Sequence, residues 1–321
     1  MGKTRIALGA LLFAALPALS LAQDAYPSKP VRIVVGYSAG GGNDLIVRIM
    51  APKLGEGLGQ PVIVENKPGA QSIIAADLVA KSAPDGYTLL MGPSGPMTMN
   101  PATYAKLSYS PTRDFAPVSM LATFPLALVV QAAGPLKTVN DLVAFAKANP
   151  QKVSYASSAA PFQIAAELFK QRTGTQFIHV PYKGSGESVS SVVGGQVTMT
   201  IADTAPMSGA LRGGTIRALA VTSPQRHAAM PDVPTFAEAG VPGMDFVLFT
   251  ALFAPAGTPQ PVVARLNREV ARVLALPEVR DGFARLSVDP APGTPDALAE
   301  TVKRDIERWT GVAKAAGIKN D

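Results

Sequence analysis

The sequence predicts a two-domain α/β protein, each domain a mixed and mostly parallel sheet flanked by helices. Three observations predict it: a length beyond one core, β-branched runs alternating with helical patterns, and two apolar crossing segments that bracket the middle of the chain. Residues 1–22 read as a leader, which leaves 299 of the 321 residues. Single cores stop growing at about 250–300 residues, so two domains are the default.

Strands are expected at Val31–Val35, Val62–Glu65, Tyr87–Met91, Leu126–Gln131, Val153–Ala156, Phe177–Val180, Thr198–Ala202, Ile216–Thr222 and Phe246–Ala254. Between them lie segments with apolar residues three and four apart, such as Ile46, Ile49, Met50, Leu54 and Leu58, or Leu142, Phe145 and Ala146 after Asn140-Asp141. That alternation marks βαβ units. Met120–Gln131 and Asp245–Pro255 are unusually long, apolar and strand-forming, and as a pair they suggest that the chain leaves one domain and returns to it. The first domain is therefore read as residues 26–125 plus 247–321, and the second as 126–246. A two-strand connection is a hinge, and the cleft between such domains is the natural ligand site.

Lys3 and Arg5 precede an uncharged apolar run, Ile6 to Leu21, that ends in Ser20-Leu21-Ala22. This is the pattern of a secretory signal with a small-residue cleavage site. The run is about 16 residues, short of the roughly 20 that span a bilayer. The mature protein is expected in the periplasm, and without cysteine it has no lipid anchor, disulfide, thiolate metal site or Cys nucleophile. Loss of Lys3 and Arg5 lowers the formal net charge from +6 to +4. The basic residues are scattered and are not interleaved with the one Trp and seven Tyr, so no nucleic acid partner is expected. A mild positive excess suits a small organic anion.

The most informative loop is Gly36-Tyr37-Ser38-Ala39-Gly40-Gly41-Gly42-Asn43-Asp44, between the first strand and the first helix. Consecutive glycines let backbone N–H groups converge, and the helix N-terminus adds partial positive charge, which makes an anion cradle. Neither a mononucleotide nor a dinucleotide loop has this spacing. The plainer reading is a tight turn capped by Asn43 or Asp44, and for Asp44 the cap is favoured. The stretch also holds a formal Gly-x-Ser-x-Gly around Ser38, with Asp203 and His227 following in hydrolase order. Its strand is the first of the mature chain and leaves no room for an upstream oxyanion loop, so a serine hydrolase is the disfavoured rival. His179 and His227, the only histidines, lack metal-ligand spacing, and no acid/base carboxylate pair is evident. No metal, cofactor or catalytic residue is expected.

Further polar loops should close strands on one side of the sheets, where parallel α/β sheets bind ligands. They are Ser94-Gly95 with Thr98 and Asn100, Ser157-Ser158, Pro181 to Gly186 with Tyr182 and Lys183, and Asp203-Thr204. Most of the serines read equally as turn residues. Asp203 either caps a helix near Pro206 or points into the cleft.

Taken together, these loops resemble those of the Bug receptors, the solute-binding proteins of tripartite tricarboxylate transporters. The likeness is carried by Tyr26-Pro-Ser-Lys-Pro-Val-Arg-Ile-Val-Val, Gly41-Gly-x-Asp, Val64-Glu-Asn-Lys-Pro-Gly-Ala and Ala83-Pro-Asp-Gly-Tyr-Thr-Leu-Leu. It continues through Val180-Pro-Tyr-Lys-Gly, Gly194-Gly-Gln-Val, Pro231-Asp-Val-Pro-Thr and Phe253-Ala-Pro-Ala-Gly-Thr-Pro. The resemblance implies a periplasmic binding protein of Venus-flytrap, type II-like fold that holds a mono- or dicarboxylate through backbone N–H groups and short polar side chains. It implies permease subunits as partners, and a ligand sensor for a signalling protein is the second binding reading; a monomer is expected. On the matching positions, Gly41, Gly42 and Asp44, with Tyr37 and Asn43 beside them, would form the first ligand loop. Ser94 would belong to the second, Ser158 to the third, Tyr182 and Lys183 to the fourth, and Asp203 to the far wall. Three stretches depart from the family: Gly69-Ala70-Gln71-Ser72, Ser157 to Gln163, and Phe249-Thr250. They suggest a cleft for a more apolar acid than citrate.

Cleavage after Ala22 predicts a mature N-terminus at Gln23. Mass analysis of exported protein checks it, and a periplasmic chain that still began at Met1 would refute the leader.

Overall fold

The computed structural model describes residues 26–319, so the leader lies outside the described residues. Eleven strands are seen there in chain order. They are β1 (Val31–Val35), β2 (Val62–Asn66), β3 (Thr88–Pro93), β4 (Phe115–Phe124), β5 (Leu126–Gln131), β6 (Ser154–Ser157), β7 (Ile178–Pro181), β8 (Met199–Asp203), β9 (Ile216–Val221), β10 (Leu248–Pro255) and β11 (Asp289–Pro290). They form two sheets, in the orders β11-β4-β10-β3-β1-β2 and β7-β6-β8-β5-β9. Both are mixed. Parallel pairing is confined to β1 with β2 and β3, and to β6 with β7 and β8. Every pairing made by the crossing strands is antiparallel, so parallel pairs are fewer than the sequence suggests.

The stretch Met120–Gln131 is not one strand. Pro125 interrupts it, β4 ending in the first sheet at Phe124 and β5 starting in the second at Leu126. Proline has no N–H to give a ladder, which makes it a natural place to change sheets. The return crossing runs through Phe246 to Leu248. Thr222 ties the two crossings together: its hydroxyl accepts from Leu126 N at 2.9 Å, its own N–H donates to Leu126 O at 2.9 Å, and its carbonyl accepts from Phe246 N at 2.8 Å.

Central strands of both sheets are buried on two faces and accordingly lack polar alternation. All eight residues of β10 are buried, and so are five of the six in β5. One side of the first sheet packs Ile46, Val47, Met50 and Leu54 from the helix Gly42–Leu58 with Val263, Leu266 and Val270 from the helix Gln260–Leu274. The helix Pro295–Ala316 serves both sheets. Leu298 and Val302 join a core cluster of the first sheet, whereas Trp309, Val312 and Ala313 join one of the second. Trp309 meets Phe246 of the return crossing edge-on at 5.0 Å.

One turn departs from ordinary backbone. Ala70, Gln71 and Ser72 all have positive φ (46°, 52° and 69°) directly after Gly69. Such conformations cost about 1–3 kcal/mol each for non-glycine residues. Gly36 is pressed against this turn, and a Cβ there would collide with the Cβ and Oγ of Ser72, whose buried hydroxyl has no partner.

The contact predicts a non-additive cycle. Gly36→Ala should destabilise by about 1–3 kcal/mol through overpacking. Ser72→Gly should stabilise by about 1 kcal/mol, since relief of the left-handed strain exceeds the added unfolded-state entropy. The double variant should regain most of the loss, whereas strict additivity in urea unfolding would mean that the two residues do not press on each other.

Candidate functional site

Two adjoining cavities lie between the sheets. The larger chamber, about 160 Å³, is lined from the first sheet's side by Tyr37, Asn43, Gln71, Ser94 and Asn100, and from the second by Ala159, Phe162 and Asp203. Phe124, Leu248 and Phe249, on or next to the crossings, close its back. A second chamber of about 130 Å³ is lined by Gly42, Asn43, Ile46, Phe124, Asp203, Thr204 and Val288, among others. Asn43, Phe124 and Asp203 belong to both chambers and form the waist between them. The polar residues sit where β1, β3 and β8 end, which is where sheets of this kind present ligand loops.

The glycine loop is positioned from below by Asp44, which is fully buried and lines neither chamber. One of its oxygens accepts from Gly40 N and from Arg48 Nε, each at 2.8 Å, and the other accepts from Asn66 Nδ2 at 2.8 Å. Burial alone would raise this carboxyl, but the bonds from Arg48, Gly40 and Asn66 outweigh it and hold the group below the ordinary aspartate range. Asn66 also donates to Tyr37 O at 3.0 Å, so one side chain braces both ends of the loop. Asp44 is therefore a brace beneath the turn and not the expected cap: Gly41 holds the cap position of the helix Gly42–Leu58, with no side-chain cap bond. Gly41 N is spent on Ser38 O at 3.3 Å, and Gly41 lines neither chamber. Gly41 has an extended backbone open to any residue (φ −73°, ψ 160°), and only Gly40 of this glycine run needs the left-handed region (φ 80°). Gly42 and Asn43, at the first turn of the 17-residue helix, bring its positive end to the second chamber.

Asn43 is held by Thr250, whose hydroxyl donates to Asn43 Oδ1 at 2.9 Å, and this leaves the amide Nδ2 without a protein acceptor among the described residues. Burial pushes the Tyr37 hydroxyl well up, so it stays a neutral donor. Ser94 lines the larger chamber, but its Oγ accepts from Phe249 N at 2.8 Å and so pins the return strand. Asn100 donates to Gln71 O at 3.1 Å, holding the strained turn that brings Gln71 to the cleft.

Asp203 caps no helix: the short turn after it starts from Thr204 without a side-chain cap bond. It ends β8 opposite Leu126, lines both chambers, and its Oδ1 is buried without a partner. Burial pushes this carboxyl up, against a smaller opposing pull from the Ser185 hydroxyl and its own backbone N–H. Ser158 lines neither chamber and pairs with Ser185 at 3.3 Å. Tyr182 packs on the second sheet's core, and Lys183 is exposed, its N–H donating to Glu187 at 3.2 Å; both stand outside the chambers. The structure thus gathers Tyr37, Gly42, Asn43, Ser94 and Asp203 at the cleft, and places Gly41, Asp44, Ser158, Tyr182 and Lys183 behind or beside it.

Nor does Ser38 assemble a triad. It is exposed and lines neither chamber. The N–H of Ala229 donates to His227 Nδ1 at 3.3 Å, so Nε2 carries the hydrogen and faces Asp289 at 3.1 Å. His179 lies under Tyr155 and bonds Ser157 Oγ at 2.8 Å, with burial lowering its basicity. Among the described residues no group of His, Asp and Glu is placed to hold a metal ion, and no helix is long and apolar enough to cross a membrane.

Phe124 and Leu248 are cleft residues that the loop reading did not select, whereas Asn100 lies in its second polar loop and Gln71, Phe162 and Phe249 lie in the three stretches read as reshaping the cleft. Phe124, Leu248 and Phe249 flank the crossings, and a two-strand hinge must place its flanks at the cleft, which is the signal that could have found them.

The chain is similar to known proteins along nearly its whole length. The profile of the family described as tripartite tricarboxylate transporter family receptor matches residues 46–318. Protein BugT of Bordetella pertussis is 36% identical over 324 residues, covering 99% of each chain. Among solved structures, an R. palustris protein with adipate superposes with a TM-score of 0.81 at 36% identity, covering 92% of this chain and 99% of that one. MatC from Rhodopseudomonas palustris, with bound malate, gives 0.78 at 32% identity, covering 89% and 99%.

A carboxyl whose folded pKa is raised binds its proton more tightly in the native state than in the unfolded one. It therefore destabilises the ligand-free fold at neutral pH, and that cost fades as pH falls through the folded pKa toward the ordinary value near 3.8. Asp203→Asn, which removes the charge but keeps an oxygen in the same place, should raise the melting temperature of ligand-free protein at pH 7.5. The gain should shrink on acidification; a variant no more stable than the parent at pH 7.5 would show that Asp203 carries no such cost.

Proposed function

The chain belongs to the tripartite tricarboxylate transporter receptor family, and from that premise we propose that it captures a small carboxylate between its two sheets and presents the closed form to the permease subunits. The observation that carries this is the lining of the two chambers. Neutral donors from Tyr37, Asn43 and Gln71 stand beside the helix end at Gly42 and Asn43, and apolar walls from Phe124, Phe162 and Phe249 face them. An anion held by amides and helix ends, with no Lys or Arg at either chamber, is desolvated at modest cost and can be released when the cleft opens. Relatives solved with adipate and malate support a carboxylate.

The moving bodies in this reading are residues 26–125 with 247–321, and 126–246, swinging about the crossings. The last helix, whose Trp309 end packs on the second body, must bend or slide with it. The protein works in the periplasm as a monomer, without a cofactor or a covalent step.

A ligand that binds only the native state, present at about 100 times its Kd, adds roughly 2.7 kcal/mol. A thermal-shift screen of small mono- and dicarboxylates should therefore contain at least one strong stabiliser, while sugars and inorganic cations leave the melting temperature unmoved. Stabilisation by sugars alone would sink the proposal.

A further inference from the structure

We infer that the ligand is a carboxylic acid that also carries a hydrogen-bond donor, an ammonium, amide or hydroxyl group, which pairs with Asp203 at the waist of the cleft. This rests on the carboxylate reading above and narrows its substrate class.

Asp203 Oδ1 is buried and without a partner, which is rare for a carboxylate because desolvating it uncompensated is costly. No Lys, Arg or His lines either chamber, so the protein supplies no cation to neutralise it. The carboxylate is tethered to fixed backbone. It hangs from the last residue of β8, whose backbone is held in register opposite Leu126 at the crossing. A donor carried by the ligand would complete the site.

Position makes the demand specific. Asp203, Asn43 and Phe124 border both chambers, so any ligand that reaches from one to the other passes the carboxylate. A cavity near 150 Å³ holds a benzene-sized molecule. Chambers of about 160 and 130 Å³ therefore admit a small acid with its anionic end in the larger one, at Tyr37, Asn43 and Gln71. The remainder lies along Phe124 toward Ile46 and Val288. A second ionised carboxylate at the waist would meet Asp203 as a like charge in a site shielded from water. An ammonium or hydroxyl there would give Oδ1 the donor it lacks.

The test is isothermal titration calorimetry at pH 7.5 with matched four- to six-carbon acids: each unsubstituted monoacid, its amino and hydroxyl derivatives at either end, and the diacid. The parent protein should prefer a donor-bearing member over its unsubstituted and diacid counterparts by at least about tenfold, the scale of one charge-assisted hydrogen bond. Asp203→Ala and Asp203→Asn should erase the preference for the amino derivative over the unsubstituted acid. Tightest binding of a diacid or an unsubstituted acid would overturn the inference, and so would a donor preference that survives both variants. A diacid that binds better on acidification would show that Asp203 acts as a neutral donor, which also overturns it. These outcomes leave the carboxylate reading standing; silence from every acid in the panel would remove that reading and this inference together.

Discussion

Everything at the cleft depends on how the two crossings are held side by side at Thr222. Its N–H, carbonyl and hydroxyl bind Leu126 on the outgoing crossing and Phe246 on the returning one. Those bonds are buried, where an unmade partner costs about 1–3 kcal/mol. Because the crossings are fixed there, Phe124 and Leu248 must flank the cleft, and β8, paired with β5 from Leu126 onward, must deliver Asp203 to its waist. The crossings and the cleft are consequently one piece of backbone. A ligand that touches Phe124, Phe249 and Asp203 touches the segments about which the two halves would turn, which is how occupancy can bias closure.

Around this frame the protein gives up stability at the cleft and recovers it behind. Three consecutive non-glycine residues in left-handed backbone and a buried carboxylate without a partner both lie at or next to the larger chamber. The compensations lie one layer back: Asp44 with Arg48, Asn66 and Gly40; Asn100 holding Gln71 O; Ser94 holding Phe249 N. Local violations of conformational and polar rules at a site, supported by satisfied networks beneath it, are the expected pattern for residues kept for binding. The glycine loop follows the same division, since the residue with the most bonds in it, Asp44, never reaches the cavity.

Much of the fold was legible because hydrophobic period and strand composition are local properties. Val31–Val35 and Leu126–Gln131 fall where their β-branched runs place them, and the other expected strands shift by a residue or two. The crossing pair was visible because fully buried strands must be apolar throughout, as β5 and β10 are. What the sequence did not show was direction: Met120–Gln131 reads as one apolar crossing segment, and its division at Pro125 between two sheets, with antiparallel partners in each, is visible only in the pairings.

For the site, the sequence by itself determined the chemistry available: glycines and a helix start after β1, short polar residues after β3 and β8, no cysteine, and two histidines without metal spacing. Tertiary structure alone decided which of those residues meet. Asp44, in the first turn of the helix after β1, and Asp203, at the end of β8, are both acidic residues in strand-to-helix connections, yet one is fully bonded beneath a loop and the other leaves an oxygen without a partner at the waist of the cleft. The difference lies in their neighbours. Asn66 and Arg48 reach Asp44 across β2 and along its helix, while nothing cationic lines the space beside Asp203. Whether a polar group is satisfied depends on long-range contacts, and a sequence read by local period carries no information about them.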